Sequence, residues 1–345
     1  MELSVKDTKM TKGLACIFMV LLHLFCRTDN LPYECLKIGG VPLVYYIGLF
    51  ADQCVAIYCF CSGYALYIIN QKYDTAKEYY KNRLKSLFLF IVNYWIVLVL
   101  FSLIGLVFDK TNQVPGDVVT FFKHFFFIDN SYNGAWWFVL IYILLVFFSR
   151  ICSHLVNKYN SILILVAGFT VYVVAYFQRT SVVVKTDIIV FDWFLEKIAL
   201  FGTSVFPFVV AMIFAKHNMF SKLRAFKCNK MSNANFVVLS LVLFVSMIIV
   251  HKHFPSLIVA PFTGIVTIVL LNLTEKGKYV DKFLEFFGNH STNIWLVHMF
   301  FYSTIFEDLV FIAKYPFFIF AFMMCLCIVT SMIINVLLNR VNKIL

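Results

Sequence analysis

Three ionisable side chains lie inside apolar stretches of the sequence, where a charge is costly to place. His23 follows the run LACIFMVLL, Asp52 lies in the middle of the second long apolar stretch, and His298 follows IWLV near the C-terminal end. Ionisable residues at membrane depth usually face a polar interior and mark a functional site. A neutral imidazole can take a proton from a weakly acidic hydroxyl group, and a carboxylate can orient that imidazole. These residues are therefore the first candidates for acid–base chemistry.

Each candidate also has a purely structural interpretation. His23 can be a hydrogen-bonded packing residue between helices, and His298 can fill space in an aromatic-rich helix. Asp52 can pair with a histidine or stabilise a kink in its helix. Ser291, in the polar run GNHSTN, has the residue type of a helix N-cap. Residue types alone leave both interpretations open.

A basic residue precedes His23 on the same helix face. Lys12 lies eleven residues before His23, and at about 100° per residue this interval makes three full turns to within about 20°. The two side chains are then separated by roughly 16 Å along the helix axis. Lys12 is expected at the edge of the membrane and His23 well inside it.

The composition is that of a polytopic membrane protein. Of the 345 residues, 62% are hydrophobic and only 14% are charged, and the mean hydropathy is +0.86, which excludes an ordinary soluble domain. Apolar runs long enough to cross a bilayer recur from end to end. We expect an all-α fold with about ten transmembrane helices in one membrane domain, residues 1–345. The spans are predicted near residues 10–27, 41–69, 86–108, 134–152, 160–178, 197–215, 235–252, 256–273, 291–312 and 316–338.

The net charge of +11 is explained by membrane topology. Most Lys and Arg residues fall in segments that share one side of the membrane when both termini are cytoplasmic, and cytoplasmic loops attract these residues. The segment 216–230, with five basic residues and no acidic one, is the clearest marker. A nucleic-acid partner is not expected, because the basic residues lie in short loops rather than on one solvated surface.

The ten cysteines give no sign of a metal site or a redox motif. Most lie inside apolar runs and none forms a CxxC pair, so we interpret them as small packing residues. Cys26 and Cys35 flank the first predicted external loop, and a disulfide bond between them is left open because the sequence does not supply their geometry. No metal is expected.

Four stretches, in this order along the chain, resemble motifs of the acyltransferase 3 family of integral-membrane O-acyltransferases. The resemblance covers residues from about 8 to 335. The four stretches are Lys12-Gly13 followed by His23, CFCSGYAL at 59–66 with Ser62, Gly63 and Tyr64, WWFVLIYILL at 136–145 with Trp137, Phe138 and Tyr142, and FGNHSTNIWLVHMFF at 287–301 with Gly288, Ser291 and His298.

The resemblance implies an enzyme of the inner (plasma) membrane of a bacterium. Such enzymes move an acyl group, most often acetyl, from cytoplasmic acyl-CoA to a sugar hydroxyl of a surface polysaccharide or a lipid-linked glycan. Acetyl-CoA would be the acyl donor, and membrane lipids would surround the protein. The resemblance makes His23 the catalytic residue and puts Lys12 where the family usually has arginine. The residues that would line the substrate site are Ser62, Trp137, Tyr142, Ser291 and His298.

Basic residues at helix ends suit the phosphates of a CoA donor. Lys12, Arg83 and Lys85 are the candidates, although the positive-inside bias accounts for most basic residues of this kind. Arg83 fits the first position of an Arg-x-x-Arg pair found in the family, whereas Ser86 stands at the second. A long pantetheine arm would then extend from the basic edge to His23.

The acceptor hydroxyl requires a base, and neutral His23 can act as one. We expect Asp52 to orient His23, although Asp52 lies one turn before the aspartate of some family branches. A covalent acyl-histidine is the alternative mechanism, and the sequence does not separate the two.

Two other functions remain open at this stage. In a proton-coupled transporter, His23, Asp52 and His298 would form a proton relay. A glycan flippase or polymerase would handle a sugar without acyl chemistry, and larger external loops or about twelve spans would be expected for it. Uptake driven by a pH gradient, without consumption of CoA, would distinguish a transporter.

Overall fold

A computed structural model describes residues 2–344, and nearly all of its regular structure is helical. Two two-residue strands, β1 (Lys37–Ile38) and β2 (Val41–Pro42), pair antiparallel. The helices are α1 (Val5–Phe25), α2 (Leu43–Phe50), α3 (Cys54–Asn70), α4 (Ala76–Val107), α5 (Val118–Phe125), α6 (Trp137–Lys158), α7 (Ser161–Ser181), α8 (Ile189–Lys216), α9 (Met219–Lys230), α10 (Asn233–His253), α11 (Ser256–Leu273), α12 (Lys278–Met299), α13 (Glu307–Phe311) and α14 (Pro316–Ile344).

Within residues 2–344, nine helical segments are long and apolar enough to cross a membrane. They confirm the all-α polytopic architecture. The segments are Val5–Phe25, Leu43–Asn70, Ala76–Val107, Gly134–Lys158, Ser161–Ser181, Ile189–Lys216, Asn233–His253, Ser256–Leu273 and Pro316–Lys343.

The count differs from the predicted ten at the span placed near residues 291–312. Helix α12 starts earlier, at Lys278, and its first half carries charged residues. After Met299 the chain forms a π-helical turn, Phe300–Thr304, and then the short helix α13. The apolar stretch is therefore divided among three elements instead of forming one straight span.

The described chain forms two compact units. The first contains residues 2–18, Leu49–Tyr79 and Ile141–Gly288. Its centre is α8, which packs against α3 and α7. Gly63 allows the close approach of α3 and α8, because a Cβ atom there would lie 2.1 Å from the Phe208 carbonyl oxygen. Small residues of this kind let membrane helices pack backbone to backbone.

Two glycines of the motifs, Gly13 and Gly288, allow the backbones of α1 and α12 to pack closely in the first unit. A Cβ atom on Gly13 would lie 2.0 Å from the carbonyl oxygen of Leu284, and one on Gly288 would lie 2.0 Å from that of Lys9. No side chain fits at either position without moving a helix. The motif glycines are thus explained by helix packing.

The second unit contains Met19–Gly48, Tyr80–Leu140 and residues 289–344. Here the segment before α6 is bound to α12 by hydrogen bonds. The Leu296 carbonyl accepts from Asn133 Nδ2 at 2.8 Å and from Trp136 Nε1 at 2.9 Å, and Trp295 Nε1 donates to the Ala135 carbonyl at 3.0 Å. These bonds fix the turn of α12 that precedes His298.

The cysteines form no disulfide bond in residues 2–344, so Cys26 and Cys35 are not joined. The loop between these two cysteines is instead held by a backbone hydrogen bond, 2.8 Å long, from the Glu34 amide to the Lys314 carbonyl. Cys16, Cys54, Cys59, Cys61 and Cys327 are buried, as expected of packing residues.

Candidate active site

The two histidines predicted from the sequence lie side by side in the second unit. The ring centroids of His23 and His298 are 4.9 Å apart, and the ring planes are tilted by 42°. His23 belongs to the last turn of α1 and is half-buried, whereas His298 is completely buried near the end of α12. Two helices from opposite ends of the sequence thus form one imidazole pair.

The hydrogen bonds of His298 define its tautomer. Its Nδ1 atom lies 2.8 Å from the Trp295 carbonyl oxygen and 3.2 Å from that of Ile294. Because carbonyls only accept, Nδ1 carries the proton and Nε2 carries a lone pair. Nε2 is buried and has no hydrogen-bond partner among residues 2–344. Buried polar atoms are rarely left unsatisfied, and this nitrogen is able to accept a hydrogen bond.

Two further side chains extend the imidazole pair. The Tyr302 ring lies 6.1 Å from the His23 ring, and the Arg27 guanidinium lies 5.8 Å from the Tyr302 ring centroid. Tyr302 is placed by the π-helical turn Phe300–Thr304, a type of irregularity that is frequent at functional sites. The sequence analysis missed both residues. Each follows one of the histidines by four positions, so spacing along a helix face was an available signal.

Asp52 lies in the first unit and has partners of its own there. It occupies the 3-10 turn Ala51–Gln53 between α2 and α3, is hydrogen-bonded to Ser256, and lies near Arg179. Ser256 in turn is 2.9 Å from Nδ1 of His251. The orientation of His23 by Asp52 stays a prediction.

A buried histidine that the sequence analysis did not single out completes the network around Asp52. His251 Nε2 lies 2.9 Å from the Thr263 hydroxyl, and the His251 side chain is buried. Both ring nitrogens therefore have partners, in contrast to His298. This arrangement is typical of a histidine that holds helices together, here α10 and α11.

The predicted donor-binding residues are found at helix positions in both units. Lys12 is half-buried in α1 and lies near Cys61 of α3. Arg83 is half-buried in α4 and donates a hydrogen bond to Asn82, and Lys85 is exposed on the same helix. Their binding of CoA phosphates stays a prediction.

The remaining predicted site residues lie on three helices. Ser62 is buried in α3 beside Gly63, and Trp137 begins α6, which also carries the half-buried Tyr142. Ser291 is buried in the middle of α12. The N-cap interpretation of Ser291 is therefore wrong, because the helix begins at Lys278.

No group of three or more His, Cys, Asp or Glu side chains in residues 2–344 is arranged to hold a metal ion. The acyltransferase 3 family model, described as an acyltransferase domain, matches residues 9–336. No curated protein and no solved structure matches the chain. The match spans nearly the whole chain and includes all four motifs and the imidazole pair. The chain therefore belongs to the acyltransferase 3 family and is a multi-pass membrane acyltransferase.

Proposed function

We propose that this protein transfers an acetyl group from cytoplasmic acetyl-CoA to a sugar hydroxyl of a bacterial surface polysaccharide or lipid-linked glycan. The main support for this proposal is the contact between the rings of His23 and His298. The buried Nε2 atom of His298 has no hydrogen-bond partner in residues 2–344. The family supports acyl transfer in general. The motif resemblance favours acetyl-CoA as donor, a glycan as acceptor and the plasma membrane as location.

The imidazole pair provides the base that the reaction needs. The acceptor hydroxyl oxygen attacks the thioester carbonyl carbon while its proton passes to an imidazole nitrogen. The carbon–sulfur bond then breaks, and the CoA thiolate takes that proton as it leaves. Because two imidazolium ions at this separation would repel each other, one proton at a time resides on the pair. Both rings are neutral again at the end of the cycle.

His23 is the residue that we assign as the base. It is half-buried, so a substrate can reach it, whereas His298 is closed off from solvent. In this assignment His298 accepts a hydrogen bond through Nε2 and keeps the neighbouring ring or the substrate hydroxyl in place. The orientation of His23 by Asp52, expected from the sequence, stays part of the proposal. A covalent acyl-histidine on His23 is the alternative route.

Basic side chains would bind the acyl donor. Lys12, Arg83 and Lys85 would bind the phosphates of CoA by charge-assisted hydrogen bonds. Lys12 precedes His23 by eleven residues of one continuous helix, so the two lie roughly 16 Å apart along its axis. An extended pantetheine arm suits a separation of this order.

Isotope transfer tests the proposal. Protein in lipid nanodiscs is incubated with acetyl-CoA labelled with ¹³C in the acetyl group and with neutral methyl glycosides. We expect a base-labile labelled ester on the glycoside, detected by mass spectrometry. Label retained on His23 after rapid quenching would select the covalent route. Absence of label from every acceptor, with folded protein and intact donor, would refute acetyl transfer.

A further inference from the structure

The proposed reaction places a negative charge on the carbonyl oxygen of the thioester. This charge develops when the acceptor hydroxyl attacks, and enzymes that transfer acyl groups stabilise it with a hydrogen-bond donor that is already in position. The donor must lie near the base, because the reacting group has to fit within about 3 Å of both. A base and its donor are therefore expected within about 6 Å of each other.

Two rings lie against the His23 ring in residues 2–344, and only one of them can donate to this oxygen. The centroid of the His298 ring is 4.9 Å from that of His23, and the centroid of the Tyr302 ring is 6.1 Å from it. Nδ1 of His298 gives its proton to backbone carbonyls, so Nε2 presents a lone pair. A lone pair repels a negatively charged oxygen, whereas a tyrosine hydroxyl has a proton to donate. Tyr302 is therefore the donor candidate at the required distance.

Tyr302 and His23 both retain exposed surface. Each residue is half-buried. Neither the Tyr302 hydroxyl nor a ring nitrogen of His23 is among the fully buried polar atoms that lack a partner in residues 2–344, whereas Nε2 of His298 is one of them. The two side chains that the reaction requires are thus the two of this cluster that are not closed off from solvent.

The backbone holds Tyr302 in place. Tyr302 lies in the π-helical turn Phe300–Thr304. The Phe300 ring stacks on the Phe101 ring at a centroid distance of 4.2 Å, and the Ile305 amide donates to the Phe300 carbonyl at 2.9 Å. A donor that is fixed in this way needs little reorganisation when the charge develops.

The guanidinium of Arg27 adds positive charge beside the Tyr302 hydroxyl. It lies 5.8 Å from the centroid of the Tyr302 ring, within hydrogen-bonding reach of the hydroxyl, and 5.6 Å from the centroid of the Phe311 ring. Arg27 forms no ion pair with a carboxylate in residues 2–344. The exposed Glu307 also acts on the Tyr302 hydroxyl, but less than Arg27 does. A hydroxyl that accepts from a cation is polarised and donates its own proton more strongly.

We propose that the Tyr302 hydroxyl is a catalytic residue that donates a hydrogen bond to the thioester carbonyl oxygen, and that Arg27 is a positioning residue that strengthens this donor. The inference rests on the proposed function. As the acceptor oxygen bonds to the carbonyl carbon, an electron pair moves to the carbonyl oxygen and the acceptor proton moves to His23. When that pair returns, the carbon–sulfur bond breaks and the CoA thiolate takes the proton from His23. Tyr302 keeps its own proton throughout.

Steady-state kinetics of the full chain in lipid nanodiscs test this role. Acetyl-CoA is the donor, neutral methyl glycosides are the acceptors, and CoA release is measured together with the Kd of acetyl-CoA. Tyr302→Phe removes only the hydroxyl group. Tyr315→Phe is the matched control, because Tyr315 is 53% exposed. Arg27→Gln removes the positive charge, and Arg27→Lys retains it.

Tyr302→Phe should lower kcat about 100-fold, the lower end of the range for the loss of one oxyanion donor. The KM, the Kd of acetyl-CoA and the melting temperature should stay unchanged, as should every value in Tyr315→Phe. Arg27→Gln should lower kcat about tenfold, as for the loss of one hydrogen bond from a charged group, and Arg27→Lys should restore most of it. A wild-type kcat in Tyr302→Phe would overturn the inference and leave the proposed function standing.

A second acyl donor separates catalysis from structural support. Chloroacetyl-CoA carries an electron-withdrawing atom that itself stabilises the negative oxygen, so the loss of kcat in Tyr302→Phe should shrink to about tenfold. An equal loss with both donors would indicate structural support and overturn the inference.

The two Arg27 variants keep the test decisive if Tyr302→Phe does not fold. Equal kcat values for Arg27→Gln and Arg27→Lys would then overturn the inference. No CoA release by the folded wild type with either acyl donor would refute the proposed function and the inference together, so the two failures are distinguishable.

Discussion

His298 turns one ring nitrogen to the carbonyl of Trp295, at 2.8 Å, and keeps its other nitrogen without a partner in residues 2–344. The same ring lies 4.9 Å from that of His23. The backbone of α12 therefore fixes the tautomer of one imidazole beside a second, half-buried imidazole. The role of His298 can therefore be tested by a substitution that keeps the hydrogen bond to the Trp295 carbonyl and removes the Nε2 atom.

His298→Asn should retain the fold and slow acyl transfer. The asparagine amide can donate to the Trp295 carbonyl as Nδ1 does, but it has no group at the position of Nε2. Because His298 is assigned to hold the neighbouring ring or the substrate hydroxyl by one hydrogen bond, we expect the rate of CoA release to fall about tenfold, at an unchanged melting temperature. His253→Asn, at an exposed histidine, is the control. A wild-type rate in His298→Asn would show that Nε2 takes no part.

Gly13→Ala and Gly288→Ala should each destabilise the protein. The added methyl group would lie 2.0 Å from a carbonyl oxygen of the facing helix in both cases, so the helices must separate. We expect a cost of roughly 1 to 3 kcal/mol, as for other overpacked positions, seen as a lower melting temperature in detergent. At Gly277 a Cβ atom meets nothing within 4 Å, so Gly277→Ala should be nearly neutral. Equal melting temperatures for all three variants would contradict the packing account.

Lys12→Ala should weaken binding of acetyl-CoA and leave the fold intact. A lysine that binds a phosphate contributes about 1.5 kcal/mol or more, so the Kd measured by calorimetry should rise at least tenfold. The effect should shrink at high salt, and Lys12→Arg should restore binding. Lys6→Ala is the control, because exposed Lys6 is paired with Asp281 at 2.9 Å. An equal loss in Lys6→Ala would indicate a general charge effect.

Acidification should open the segment after α5. Burial lowers the pKa of His124, and its Nε2 atom accepts the Tyr132 amide proton at 3.1 Å while Nδ1 lies 2.8 Å from the Thr120 carbonyl. The neutral ring is thus bound in the folded state, whereas the unfolded segment takes up a proton at the ordinary pKa of about 6.5. Local stability is therefore full above that pH and is lost as the pH falls below it.

Hydrogen exchange of the Tyr132 amide measures this local stability. Protection should decrease between about pH 6.5 and pH 5, near the ordinary pKa of histidine, after correction for intrinsic exchange rates. The Thr120 amide, bound to the Asp117 carboxylate at 2.7 Å, is an internal reference, because hydrogen bonds from the side chain and the amide of Thr120 lower the pKa of Asp117. Protection of Tyr132 that does not change with pH would contradict the role of His124.

Much of the fold was predictable because hydrocarbon imposes a strong constraint. A chain in the bilayer must form helices, so long apolar runs identify spans, and ionisable residues inside them identify site candidates. His23 and His298 were found in this way. Their contact was not predictable, because apolar periodicity does not state which helices meet. Arg27 was missed since a basic residue at the end of a span is usually an interfacial anchor.

The polar run GNHSTN shows why the start of α12 was misplaced. Six polar or small residues favour a helix entry, yet the helix passes through them. Asn293 explains this continuity: its Oδ1 accepts from Asn93 Nδ2 at 2.7 Å, and its Nδ2 donates to Asn335 Oδ1 at 2.9 Å. Contacts with other helices satisfy groups that would otherwise need water. Such partners come from distant segments and cannot be read from a local pattern.

We propose above that His23 is the base of an acetyl-CoA-dependent transfer. It is tested most directly by comparing wild type and His23→Ala in lipid nanodiscs, with acetyl-CoA binding followed by calorimetry and CoA release followed in the presence of glycan acceptors. We expect His23→Ala to bind acetyl-CoA with an unchanged Kd but to release CoA at least about 100-fold more slowly, because a general base is lost. Release at the wild-type rate by His23→Ala, or no acetyl-CoA binding by the folded wild type, would contradict it.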